Sequence, residues 1–336
     1  MGEQVLLSNS SGYNPGTDVM KARDVKLEPS SHKGVFVGKM IAPVNGFNHA
    51  MLSLDLHHMP PGLHTGLHRH DETLLHVLSG SGYSIIDNVR YEWEPGDSIH
   101  IKPGVWHQHW NTSSAAANML ACKPTPLLNH IRPFFPSIAK GDDFIAVGDD
   151  YIPDHPFGLG RQELLIRSRE STGLDFPDFK QRQAALAERL KNGRTIMKGK
   201  DVRWELWSDK GEFNAYLLDP VLGFECRTAI IGMQAIPPGS HNESHVHDEA
   251  IVYILRGKGI VLVDDKRIDV EAGDSIFVHF NTWHQFWNLD KSEPFLQIRF
   301  TTWGLENYLF PFPYLETDDN IAASDLDPGY VPRTPW

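Results

Sequence analysis

The 336-residue sequence predicts an all-β protein made of two tandem copies of one small antiparallel domain, on three observations. His68, His70, Glu72 and His107 recur as His245, His247, Glu249 and His284, at a constant offset of 245 − 68 = 177 residues. The same offset carries Pro60-Pro61-Gly62 onto Pro237-Pro238-Gly239, Gly96-Asp97-Ser98-Ile99 onto Gly273-Asp274-Ser275-Ile276, and Trp106-His107-Gln108 onto Trp283-His284-Gln285. A gap-free match of this length marks duplication of a whole domain, not a shared short motif. Finally, 28 Gly and 23 Pro punctuate short apolar runs, as expected of many turns between short strands in a sandwich or barrel.

In chain order, residues 1–33 are polar, with Gly, Pro and Ser, and read as an arm leading into the first strands. The first domain, 34–135, opens with apolar runs at Val35-Phe36-Val37 and Met51–Leu54. A strand at Leu74–Leu78 follows the H-x-H pair and is closed by Gly80-Ser81-Gly82; turns are expected at Asp87-Asn88 and Glu94–Asp97. Residues 136–200 form a linker with one helix, because Phe179, Leu186 and Leu190 fall at helical spacing and Gly193 offers a stop. That helix reads as a packing or subunit-contact element. The second domain, 201–312, repeats the pattern through Ile251–Leu255, Gly257-Lys258-Gly259, Asp264-Asp265 and Glu271–Asp274; residues 313–336 form an acidic, Pro-rich tail.

The formal net charge of −12 comes with no Lys/Arg run, which removes the electrostatic footprint of a nucleic-acid binder. No stretch approaches the roughly 18 apolar residues of a membrane span, and the first residues lack a signal-peptide pattern. Cys122 and Cys226 lie outside the repeat correspondence and make no disulfide framework, which fits a reducing compartment. The expectation is a cytoplasmic homo-oligomer acting on a small molecule, with neither nucleic acid nor membrane as partner.

The histidines carry the chemistry. Alternate strand residues share a face, so His68 and His70 can grip one ion, and so can His245 and His247. His107 and His284 arrive from another strand, each eleven residues after a turn glycine, Gly96 and Gly273. Three imidazoles on one side of an ion leave open positions on the other, the arrangement of a catalytic or ligand-binding site. Glu72 and Glu249 stand two residues beyond the pairs, as fourth ligands, bases or solvated turn residues; a one-residue slip in register decides which. His109 shares a face with His107, while His64 and His241 precede the ligand pairs, making each a candidate proton relay or a hydrogen-bonded loop residue. Trp106, Trp110, Trp283 and Trp287 alternate out of phase with the ligands and should pack elsewhere. Arg90 and Arg267 follow hairpin turns and read as surface residues.

These residues resemble the two motifs of the cupin family. Motif one is matched by Gly62-x5-His68-x-His70 and Gly239-x5-His245-x-His247, motif two by Gly96 through His107 to Asn111 and Gly273 through His284 to Asn288. The chain thus resembles a bicupin, which implies two tandem double-stranded β-helix, or jelly-roll, barrels with a metal inside. Two departures stand out. The family's motif-one glutamate falls seven residues before the closing glycine, where this sequence has Thr73 and Ala250; and motif two of the second copy has His279-Phe280-Asn281 where the first keeps Pro103-Gly104. A three-histidine site suits Fe(2+), and the overall plan is most similar to the gentisate 1,2-dioxygenase class. The resemblance implies an Fe(II) dioxygenase using O2 on a small hydroxylated aromatic acid, with metal ligands His68, His70, His107, His245, His247 and His284; His109, His64 and Glu72 are the candidate catalytic groups by their positions beside those ligands. The alternatives are a manganese decarboxylase or oxidase, with Mn(2+) or another divalent metal and Glu72 or Glu249 as ligand, and a non-catalytic ligand-binding bicupin.

Overall fold

The computed structural model describes residues 17–30, 34–49, 51–131, 192–207, 211–264, 266–280, 282–302, 305 and 316–318. The helix expected at 178–190 lies outside them. The structure is nearly all β, in two units. In unit one a large sheet contains Leu27–Pro29, Phe36–Ile41, Ser53–Met59, Ala117–Lys123, Thr73–Ser79 and Ser98–Ile101, and faces a three-stranded sheet of Val89–Trp93, Gly82–Ile86 and His107–Asn111. Unit two repeats the plan. Its large sheet contains Glu205–Trp207, Glu212–Leu218, Ile230–Ile236, Phe295–Thr301, Ala250–Arg256 and Ser275–Val278. Its small sheet contains Lys266–Glu271, Lys258–Val263, His284–Asn288 and Ser244–Val246, with Glu316–Asp318, from the expected tail, as an edge strand.

The turns obey local chemistry. Asp87 (φ 50°) and Asn88 (φ 61°) both take left-handed conformations, the geometry of a two-residue hairpin turn that short polar side chains tolerate. At Gly82 a Cβ would lie 1.9 Å from the Trp110 carbonyl oxygen, so only glycine lets those strands approach. Asn111 and Asn288 each donate to three backbone carbonyls, Met59, Pro60 and Ala115 in unit one and Ile236, Pro237 and Glu293 in unit two. The offset grows to 301 − 123 = 178 beyond this loop, since Lys123 pairs with Ser53 and Thr301 with Ile230.

Strand alternation gives each large sheet two apolar faces. One points into its own barrel, lined in unit one by Leu75, Val77, Ile99, Ile101, Met119 and Ala121. The other, with Leu54, Leu74, Leu120 and Cys122, packs against Ile231, Met233, Ile251 and Phe300 of unit two in one continuous core. Both cysteines are free, and burial pushes their thiols up.

The units also exchange strands. Val19–Met20, from the expected arm, pairs with Ile276 and Ser275 of unit two, while Ile196–Met197, from the expected linker, pairs with Ile99 and Ser98 of unit one. The exchange follows the repeat offset, 196 − 19 = 177, so it is a pseudo-twofold clasp. Lys21 reaches Asp274 and Lys198 reaches Asp97; the backbone N–H groups of Ala22 and Gly199 donate to the same two carboxylates. Among the described residues no helix is long and apolar enough to cross a membrane.

Candidate metal centres

His68, His70 and His107 converge in unit one, and His245, His247 and His284 in unit two, the ligand nitrogens of each trio lying within 4.8 Å of one another. Antiparallel pairing aligns them: His68 bridges to His107, and His245 pairs with His284. Every imidazole is held by Nδ1 on a backbone carbonyl. The acceptors are Gly66 (2.7 Å), Asp71 (2.7 Å) and Val105 (2.8 Å) in unit one, and Glu243 (2.8 Å), Asp248 (2.7 Å) and Thr282 (2.9 Å) in unit two. A carbonyl can only accept, so Nδ1 carries the proton and each ring turns an Nε2 lone pair inward. The His107 and His70 Nε2 atoms stand 3.1 Å apart, close for two lone pairs and natural for two ligands of one cation. Burial, and then the neighbouring His107, holds His70 down to about 2; burial holds His284 well below the usual imidazole range. Neutral, fixed and convergent, the donor set fits a divalent metal in each unit.

The other predicted residues fall differently. Glu72 joins neither trio. The chain bends at Asp71, so Glu72 shares the seam-facing side of its strand with Leu74, while Thr73 takes the barrel side and lies 3.4 Å from His70 Nδ1. The buried Glu72 carboxylate accepts from His100 Nε2 at 2.8 Å and, across the seam, from Arg227 N at 3.1 Å, Thr228 N at 2.8 Å and Thr228 Oγ1 at 2.5 Å. Glu249 is its mirror image, accepting from the backbone N–H of Met51 at 3.0 Å and Leu52 at 2.7 Å in unit one. The glutamates beside the ligands thus bind the two units together, a correction to the catalytic expectation for Glu72.

His64 is also corrected. It is exposed, stacks on Trp110 at 3.9 Å and donates from Nδ1 to the Thr65 carbonyl at 2.9 Å, so its ring lies outside the barrel; His241 stacks on Trp287 in the same way. His109 lines the interior with its ring 5.4 Å from that of His107. Its Nδ1 meets Ser84 Oγ at 2.7 Å, and Trp93 Nε1 donates to the same oxygen. Burial first, then the three ligand histidines, holds His109 well below its ordinary value.

A cavity of about 300 Å3 lies against the unit-one trio. Beyond the histidines, its walls bring in Thr65, Thr73, Lys39, Asp55, His57 and Lys123, with Val35, Val37, Leu75 and Ile101 as the apolar surface. Burial lowers Lys123, and Asp55 partly restores it. These polar residues escape motif reading because most sit on strands outside the two histidine motifs. Carrying the repeat offset beyond the motifs would have exposed them: Val35, Val37 and His57 of unit one stand where unit two has Glu212, Asn214 and Gln234. In unit two those groups bond to one another. Asn214 and Gln234 donate to Glu212, Gln297 donates to Gln234, and Arg299 donates to Asn214. Among the described residues, the unit-two barrel thus carries a linked polar network where unit one has Val35, Val37 and His57.

Comparison with known proteins agrees with this architecture. The cupin domain family model matches residues 55–122 and 232–296. An uncharacterized protein of Methanocaldococcus jannaschii is 29% identical over 111 residues, 32% of this chain and 88% of that one. A 5-aminosalicylate 1,2-dioxygenase of a Comamonas species is 28% identical over 107 residues, 30% of this chain and 29% of that one. Among solved structures, Lactobacillus farciminis oxalate decarboxylase in complex with formate superposes with a TM-score of 0.59 at 13% identity, over 90% of this chain and 88% of its own. Salicylate 1,2-dioxygenase of Pseudoaminobacter salicylatoxidans with gentisate gives 0.59 at 14% identity, over 89% and 84%. At such identities the likeness is one of fold. The duplicated histidine motifs, the paired barrels and the two cupin-domain matches give this chain the two-barrel plan of a bicupin, and that plan resembles the gentisate-type dioxygenases.

Proposed function

We propose that unit one is the reaction centre of an Fe(II)-dependent dioxygenase that cleaves a small hydroxylated aromatic acid with O2. The observation that carries the reading is an all-nitrogen donor set facing a cavity: three neutral imidazoles, with no carboxylate joining them among the described residues. Three neutral donors leave a cation's charge to be balanced by an anionic substrate. Both candidate glutamates bond across the seam, so a manganese decarboxylase or oxidase, the alternative that the oxalate decarboxylase likeness also fits, would have to work without Glu72 or Glu249 as ligand.

When bound, iron(II) supplies Lewis acidity and one-electron redox chemistry that the side chains lack. The chain's residues prepare the rest. His68, His70 and His107 would hold the ion, each ring fixed by its backbone carbonyl. His109, neutral and held on Ser84, is placed to take a proton from the acid's hydroxyl. Val35, Val37, Leu75 and Ile101 shield the ring from water, and the Lys123 ammonium complements an anion. The reading includes a cytoplasmic homo-oligomer; exposed Val44 and Trp106, with their repeat counterparts Val221 and Trp283, supply apolar contact surface, and light scattering checks it.

The deciding experiment is metal analysis of anaerobically purified protein, then oxygen-electrode assays with iron restored and a panel of hydroxybenzoates. Iron-dependent oxygen uptake with ring-fission absorbance is expected. Manganese occupancy with carbon dioxide release and no net oxygen use would overturn the proposal.

A further inference from the structure

The unit-one cavity lies between two packed sheets. The ligand histidines and His109 come from the small-sheet side; Asp55 and His57, two residues apart on Ser53–Met59, come from the large sheet and face them. Asp55 Oδ2 accepts from Lys39 Nζ at 2.8 Å and Lys123 Nζ at 3.4 Å. Asp55 Oδ1 and His57 Nε2 are both buried, and neither has a partner among the described residues. Buried polar atoms are almost always paired, because an unmet carboxylate oxygen forfeits its hydration without return. At the corresponding places unit two has Gly232 and Gln234, and Gln234 is bonded to Glu212 and Gln297. On this strand the unpartnered pair thus belongs to unit one; unit two has its own unpartnered buried atoms, Gln297 Oε1 and Arg299 Nε among them, on a different strand, Phe295–Thr301.

We propose that this wall is a second recognition subsite, in which Asp55 Oδ1 accepts a hydrogen bond from a hydroxyl or amino group that the aromatic acid carries on the ring edge away from its metal-chelating pair. The inference rests on the aromatic-acid reading of the same site. Two lysines against one aspartate leave the wall cationic, so an acid is not repelled by Asp55. A ring without that donor would strip Asp55 Oδ1 of water and give nothing back, which is how a site built to bond a substituent rejects the analogue lacking it.

The test is anaerobic calorimetry on the full-length, iron-loaded chain with two isosteric probes, 5-amino-2-hydroxybenzoate and 5-methyl-2-hydroxybenzoate. The amino acid is expected to bind roughly 10- to 100-fold more tightly, the worth of one hydrogen bond to a charged acceptor. In Asp55→Asn the lysines claim the amide oxygen, so the amide NH2 replaces the Oδ1 acceptor; the preference then vanishes or reverses while 5-methyl-2-hydroxybenzoate keeps its affinity. Equal affinities in the wild type, or a preference that survives Asp55→Asn, would overturn the subsite and leave the reaction class standing. Binding of neither probe would overturn the aromatic-acid reading and the subsite with it. Should Asp55→Asn fail to fold, the wild-type comparison of the two probes decides alone.

Discussion

Glu72→Gln separates a seam residue from a metal ligand. The wild-type carboxylate takes bonds from His100, Arg227 and Thr228, with the Glu72 and His100 side chains 2% and 0% exposed. Glutamine keeps one acceptor but loses the charge, and its NH2 is set against donors. Bonds to charged groups contribute about 1.5–3 kcal/mol against 0.5–1.5 for neutral ones, and a donor left unmet costs a further 1–3. A net loss of about 2–3 kcal/mol follows, which lowers Tm by roughly 4–12 °C at this size. The assay is thermal and urea unfolding beside metal content at neutral pH. Metal content should hold while stability falls. Wild-type stability combined with loss of metal would refute the reasoning, because it would put the carboxylate on the ion. Acid gives the same answer by another route. Burial alone would raise Glu72, but its bonds from His100 and Thr228 outweigh that and hold it below its ordinary value. A depressed folded-state carboxyl contributes stability above its unfolded pKa of about 4.3 and loses it as pH falls through the lower folded value. Glu72→Gln should therefore flatten the acid limb of the stability profile below about pH 4.3.

His109→Phe copies Phe286 of unit two; metal content should be kept while turnover falls roughly 100-fold, as measured by oxygen uptake. His245→Ala should cost about one metal ion per chain and some thermal stability, yet leave unit-one turnover near wild type, because the proposed reaction centre is the unit-one trio with its cavity. Gly82→Ala should destabilise by several kcal/mol in urea unfolding, since a Cβ 1.9 Å from the Trp110 carbonyl oxygen forces two paired strands apart.

The duplicated histidines were legible because metal ligation constrains spacing, and spacing is what a linear sequence displays. The facing of Glu72 was not. Parity carried forward from His68 and His70 puts it with them, but the bend at Asp71 restarts the alternation, and Thr73 inherits the inward place. Asp55, His57 and Lys123 were invisible for another reason: they sit on strands that carry no metal motif, and only closure of the barrel brings them to one wall. The differing interiors were within reach, since His57 against Gln234 and Val35 against Glu212 follow from the offset once it is carried past the motifs. The strand exchange was beyond it, because two-residue strands leave no periodicity to read.

That exchange sets an order on synthesis. Ile196–Met197 follows its partner Ser98–Ile99 by about a hundred residues, whereas Val19–Met20 must await Ser275–Ile276, 276 − 19 = 257 residues downstream. At ribosomal rates of about 5–20 residues per second, the amino-terminal strand spends roughly 13 to 50 s with its hydrogen-bonding edge unclaimed. Throughout that interval the nascent chain carries an open β-edge, so the burden this fold places on chaperones falls on its first residues and ends only when its last barrel closes.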